Sequence, residues 1–176
     1  MIARLARLRV FLGFVFSVVV WWRAHPTAGT LLVGAAVASV GEAIRIWAAG
    51  HLNKSREVTS SGPYRWSAHP LYVGSTVMGG GLAIASGSLL VAMLIAAYLA
   101  TTLTAAVKSE EAFLRRTFGD RYDTYRQGDT SGDRARDDAS SRRPFSMKQA
   151  IANREYRALI GLLMAVLLLA LKATYN

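Results

Sequence analysis

Cysteine is absent from the 176-residue sequence, and histidine occurs only at positions 25, 51 and 69. The first absence excludes disulfides, thiolate catalysis and cysteine zinc sites together. The second leaves no zinc or di-iron cluster unless carboxylates supply most of the ligands. Charge is thin as well: 18% of residues are charged and 52% are hydrophobic, against about 25% charged in an ordinary soluble domain. There is no Walker loop, and no G-x-G-x-x-G follows a strand pattern. Gly79-Gly80-Gly81 lies inside an apolar run, where it cannot form a Rossmann turn. The longest polar stretch has no strand pattern, which leaves no room for a soluble nucleotide-binding domain. Any cofactor must bind among helices.

The apolar residues are gathered into runs. Val10 to Trp22 is apolar apart from Ser17, follows an arm holding Arg4, Arg7 and Arg9, and ends on interfacial tryptophans. A span needs about 20 residues, so this helix borrows Leu5 and Leu8 while its arginines snorkel. A cleaved signal peptide is the rival reading, but a small-residue cleavage site is hard to find after Trp22. His25-Pro26 makes a turn, and Thr27 to Gly50 is the second span. Pro70 suits the first turn of a helix beginning near His69, and this third span runs to about Ala85. Ser86-Gly87-Ser88 is a tight hairpin before a fourth span, Leu89 to Val107, so spans three and four are expected as an antiparallel pair. Lys108 to Arg126 reads as a helix leaving the membrane, and 128–141 as a flexible linker of Gly, Ser, Asp and Arg. Residues 145–157 read as an amphipathic segment on the membrane, leading into a last span over 158–173. The expected fold is all-α, one polytopic membrane domain over residues 1–176 with about five transmembrane helices.

Net charge is +10. No basic aromatic surface stands outside the membrane flanks, so this charge reports membrane orientation and anionic headgroups rather than nucleic acid. Basic residues concentrate in the amino-terminal arm, the 51–67 connection and the 108–157 segment, and none lies in the 24–27 turn or the 86–88 hairpin apart from His25. The positive-inside rule then puts the amino terminus and the polar segments in the cytoplasm, as for an integral protein of a bacterial inner membrane. Within the second span, Glu42 and Arg45 share one helical face. They read either as a mutually neutralising pair or as part of a pocket.

Tyr64, Arg65, His69 and Tyr72 fall at the mouth of span three, and Glu110 and Glu111 at the mouth of span four. An antiparallel pair brings the two groups together as a cytoplasmic cofactor pocket at helix ends. The set offers cationic donors for a carboxylate, a glutamate for ribose hydroxyls or an amine, and aromatic faces for a purine or a sulfonium. That inventory suits S-adenosylmethionine. The same residue types also suit interfacial anchors, and a histidine before proline also suits a helix cap.

Gly62-Pro63-Tyr64-Arg65, His69-Pro70-Leu71-Tyr72-Val73-Gly74, Glu110-Glu111-Ala112-Phe113-Leu114 and Phe118-Gly119-Asp120-Arg121-Tyr122-Asp123-Thr124-Tyr125 occur in that order beside membrane spans. Together they resemble the isoprenylcysteine carboxyl methyltransferases and their bacterial relatives; phospholipid N-methyltransferases share a similar arrangement. The likeness covers about residues 44–126, with a looser echo at Asn153-Arg154-Glu155-Tyr156. It implies an integral-membrane methyltransferase that buries S-adenosylmethionine between helix ends while a lipophilic carboxylate or amine acceptor arrives from the bilayer. Tyr64, His69, Pro70, Tyr72, Gly74 and Glu110 would line the cofactor pocket, and Glu111 would complete it or orient the acceptor.

The chain departs from that pattern at Ala68, where the family commonly has arginine before the His-Pro pair. Arg65 or Arg154 would have to substitute. Two readings from other classes follow: a nicotinamide-dependent reductase of related fold, using NADPH, and a membrane scaffold without catalysis. Neither the acceptor nor the oligomeric state is written in the sequence.

Overall fold

The computed structural model describes residues 15–52, 61–67, 69–118 and 144–175, with backbone alone at 110, 114, 115, 117 and 118. The amino-terminal arm, Ala68 and the 128–141 linker lie outside the described residues, as does the tyrosine motif beyond Phe118. Every regular element among those described is helical: α1 (15–23), α2 (Ala28–His51), a short 3-10 turn (Gly62–Arg65), α3 (Pro70–Ala85), α4 (Leu89–Phe118), α5 (Met147–Ala152) and α6 (Tyr156–Tyr175).

Three of these helices are long and apolar enough to cross a bilayer, namely Ala28–His51, Leu89–Phe113 within α4, and Tyr156–Tyr175. The third expected span, α3, is a shorter apolar helix of 16 residues, about 24 Å long at 1.5 Å per residue. Only residues 15–23 of the first expected span are described. The fourth expected span and the described part of the helix leaving the membrane, to Phe118, are one uninterrupted helix of 30 residues.

Helix starts follow local chemistry. Thr27 caps α2 through a reciprocal box in which Thr30 N donates to Thr27 Oγ1 (3.2 Å) and Thr27 N donates to Thr30 Oγ1 (2.9 Å). Pro70 opens α3 at a position where its missing N–H has no intrahelical partner to lose.

The tightest packing joins α2 to α3, while α3 and α4 lie side by side as the expected pair. A methyl group at Gly34 would stand 2.5 Å from the Gly81 carbonyl oxygen, and one at Gly41 would stand 2.7 Å from that of Gly74. Only glycine permits this approach, because the obstructing atoms are backbone and cannot swing aside. α4 lies on the other side of α3, with the Leu99 side chain against Gly79.

The two ends of the bundle are closed differently. At one end His25 N donates to the Ser86 carbonyl (2.7 Å), joining the 24–27 turn to the 86–88 hairpin. There, too, Lys172 of α6 donates to the final carbonyls of α1 at Trp21 and Trp22, both at 2.7 Å, with its ammonium 5.0 Å from the Trp21 ring centroid. At the opposite end the carbonyls closing α2 are taken by side chains of the 144–155 segment. Asn153 Nδ2 donates to Ala49 O (2.8 Å) and Leu52 O (2.9 Å), and Gln149 Nε2 donates to Leu52 O (3.0 Å). Orphan helix carbonyls in apolar surroundings are costly, and each such bond contributes about 1 kcal/mol net.

Candidate active site

At that second end, the start of α3 meets the outer part of α4. His69 occupies the N-cap position of α3, its backbone N–H donating to Ser67 Oγ at 3.2 Å. Its ring faces Tyr72 one turn later, with centroids 5.6 Å apart, and its Nε2 lies 3.6 Å from Glu111 Oε1. The two side chains are largely sheltered, at 17% and 21% exposure. His69 and Glu111 were expected at neighbouring helix mouths, and the structure brings them together. Of Glu110 only the backbone is described, in the same turn of α4.

The 3-10 turn supplies the next wall. Tyr64 is buried, while Arg65 and Trp66 point outward, Trp66 stacking obliquely on Trp47 at 5.7 Å. Gly62 has φ of +56° and rests on the His51 ring, where a Cβ would come within 2.8 Å. His51 in turn donates from Nδ1 to the Trp47 carbonyl (3.0 Å) and packs against Phe145 at 6.0 Å between ring centroids. Pro70 is buried at the head of α3. Gly74 faces α2, where a Cβ would meet Arg45 Cγ at 2.7 Å. Its immediate task is helix contact. Arg154 is exposed in the turn before α6, with φ of 63°.

Sequence reasoning missed Glu155. This neighbour of Arg154 is buried, and its Oε1 lies 2.6 Å from Arg45 Nη2. Arg45 also lies 3.5 Å from Glu42 and donates through Nη1 to Ser75 Oγ. Both Glu42 oxygens lack a hydrogen-bond partner among the described residues. The Glu42–Arg45 pair seen in the sequence is therefore one part of a buried cluster linking α2, α3 and the 153–155 turn. The signal available was one acid, Glu42, within helical reach of a membrane arginine; that Glu155 closes the cluster is a tertiary fact.

Between α3 and α4 runs an open groove of about 340 Å³, lined by small and aliphatic residues including Gly80, Ala83, Ala96 and Ala100, with Thr76 and Thr104 as its polar members. His69, Tyr72, Thr76 and Ala83 recur at helical spacing on one face of α3, and Thr104 and Glu111 are two turns apart on one face of α4. The groove lining ends at Thr76, one turn from Tyr72, and at Thr104, two turns from Glu111. Among the described residues no group of three or more acidic or histidine ligands is placed to hold a metal.

The family profile described as phospholipid methyltransferase matches residues 24–121. The chain belongs to the phospholipid methyltransferase family. Two curated proteins are similar to part of the chain. A nickel-cobalt-cadmium resistance protein, NccN, of Alcaligenes xylosoxydans xylosoxydans is 34% identical over 96 residues, 53% of this chain and 43% of that protein. The protein-S-isoprenylcysteine O-methyltransferase of Schizosaccharomyces pombe is 29% identical over 104 residues, 59% of this chain and 44% of that enzyme. The chain spans under half the length of either relative. No solved structure matches. Family and fold together make this an integral membrane protein of a methyltransferase family.

Proposed function

We propose that the protein transfers a methyl group from S-adenosylmethionine to a lipophilic acceptor, a carboxylate or an amine, presented from the bilayer. The observation that carries this reading is the meeting of His69 with Tyr72 and Glu111, on the helix faces that line an apolar groove further along α3 and α4. The donor set fits the cofactor: aromatic faces at Tyr64 and Tyr72 suit a sulfonium, a glutamate suits an ammonium or ribose hydroxyls, and a histidine suits a carboxylate. Tyr64, His69, Pro70, Tyr72, Gly74 and Glu110 would hold it, with Gly74 keeping α3 close to α2. Glu111 would complete that pocket or orient the acceptor, with Arg65 or Arg154 standing in for the arginine that Ala68 replaces.

When bound, S-adenosylmethionine supplies a methyl already activated on sulfur, so the carbon–sulfur bond breaks as the new carbon–oxygen or carbon–nitrogen bond forms, leaving a neutral thioether. The protein's own contribution is alignment and exclusion of water. A carboxylate acceptor needs no base; an amine must lose a proton, and Glu111 would take it. Threading one acceptor chain along Gly80 and Ala96 would present its head to that pair. Charge bias further supports a cytoplasmic amino terminus in a bacterial inner membrane.

Calorimetry in detergent tests the reading. S-adenosylmethionine should bind and NADPH should not, with binding weakened by His69→Ala and by Glu110→Gln. Binding of NADPH instead would favour the reductase, and binding of neither the scaffold. Unchanged affinity in both variants would remove the pocket assignment.

A further inference from the structure

The family match ends at residue 121, yet a carboxylate from beyond it lies buried against the family core. We propose that Glu155 is a positioning residue for the first turn of α3, acting through Arg45 and Ser75; its bearing on cofactor binding rests on the methyltransferase reading above.

The connection is continuous. Glu155 Oε1 stands 2.6 Å from Arg45 Nη2, Arg45 Nη1 donates to Ser75 Oγ, and Ser75 Oγ donates to the Leu71 carbonyl at 2.8 Å. Leu71 sits between Pro70 and Tyr72, in the turn that follows His69. That turn has no side-chain cap from His69 and is closed by Tyr72 and Val73 N–H donating to the His69 carbonyl (3.0 and 3.2 Å). An uncapped first turn is free to fray, and a fraying turn would carry His69 and Tyr72 away from Glu111.

Stability alone does not account for the cluster. Burying an arginine with two carboxylates is costly, and well-packed apolar side chains generally serve stability as well. What the ions add is direction. The guanidinium is planar; its bond to Ser75 is directional, and Glu155 and Glu42 at 2.6 and 3.5 Å draw its other nitrogens to one side. Its stem packs on Gly74, so the register of α3 against α2 is pinned both at the backbone and at the hydroxyl. Glu155 itself is held by its own turn, in which its N–H donates to Ala150 O at 3.2 Å while Asn153 grips the end of α2. The order of action therefore runs from the 153–155 turn, through α2, to the head of α3.

The absence of cysteine makes a clean test available. Val73 and Phe113 are exposed, one next to Tyr72 and the other two residues beyond Glu111. Spin labels at Val73→Cys and Phe113→Cys report the distance between the two halves of the site without any ligand. Glu155→Gln and Ser75→Ala should each broaden that distance distribution in folded, detergent-solubilised protein, whereas Glu155→Asp should restore part of the sharpness. Each should also weaken S-adenosylmethionine binding about tenfold. If Glu155→Gln does not fold, Ser75→Ala carries the test alone, since it leaves the ion pairs intact. A distribution as sharp as the parent's in the folded variants overturns the proposal. A broadened distribution in a protein that never binds S-adenosylmethionine upholds the positioning role and defeats the methyltransferase reading instead.

Discussion

Where the 24–27 turn meets the 86–88 hairpin, the elements touch backbone to backbone; around His51, His69 and Asn153 side chains make most of the joins, beside one main-chain bond from Ser146 N to Gly50 O at 3.2 Å. The first end carries a direct main-chain bond from His25 to Ser86 and a lysine that closes α1. The second carries an ion cluster, two amide caps, a ring stack and the histidine–glutamate pair. Backbone contacts fix where helices run but offer nothing to a ligand. Side-chain contacts can be exchanged for a ligand's polar groups. The division of labour runs along the helices, with glycines holding the membrane-embedded part and polar side chains building the mouth.

Three substitutions probe that contrast, in descending order of expected effect. Gly34→Leu drives a side chain into the Gly81 carbonyl of α3 and should cost about 3 kcal/mol or more, read as a collapse of the unfolding midpoint in detergent. An Asn153→Ala variant loses both amide bonds to the end of α2 and should cost about 1–2 kcal/mol. Because it loosens the mouth, S-adenosylmethionine affinity should fall as well. Lys172→Met removes the cap on α1 and the contact with Trp21, at about 0.5–1 kcal/mol. There the unfolding midpoint should move and cofactor affinity should not. Loss of binding in that variant would erase the distinction between the two ends.

Much of this arrangement is legible in the residues themselves. Thr27, Pro70 and Ser86-Gly87-Ser88 mark helix boundaries by local chemistry, and the structure places them there. The pairing of His69 with Glu111 follows from placing two polar motifs at the mouths of adjacent helices. The α2–α3 seam was less visible. Gly79-Gly80-Gly81 drew attention as a run, but the contact uses Gly34 and Gly41 against Gly74 and Gly81, each pair separated by two helical turns. That i, i+7 spacing was the available signal. Glu155 was hidden for another reason: burial distinguishes it from Arg154, its exposed neighbour, and burial there depends on Arg45 in a helix far away in sequence.

The central claim is that His69 and Glu111 serve one cofactor site. A double-mutant cycle on S-adenosylmethionine affinity measures this directly, using His69→Ala, Glu111→Gln and the combined variant. A shared site predicts that the combined loss falls well short of the sum of the single losses. Fully additive losses, or single variants that bind as tightly as the parent, would contradict it.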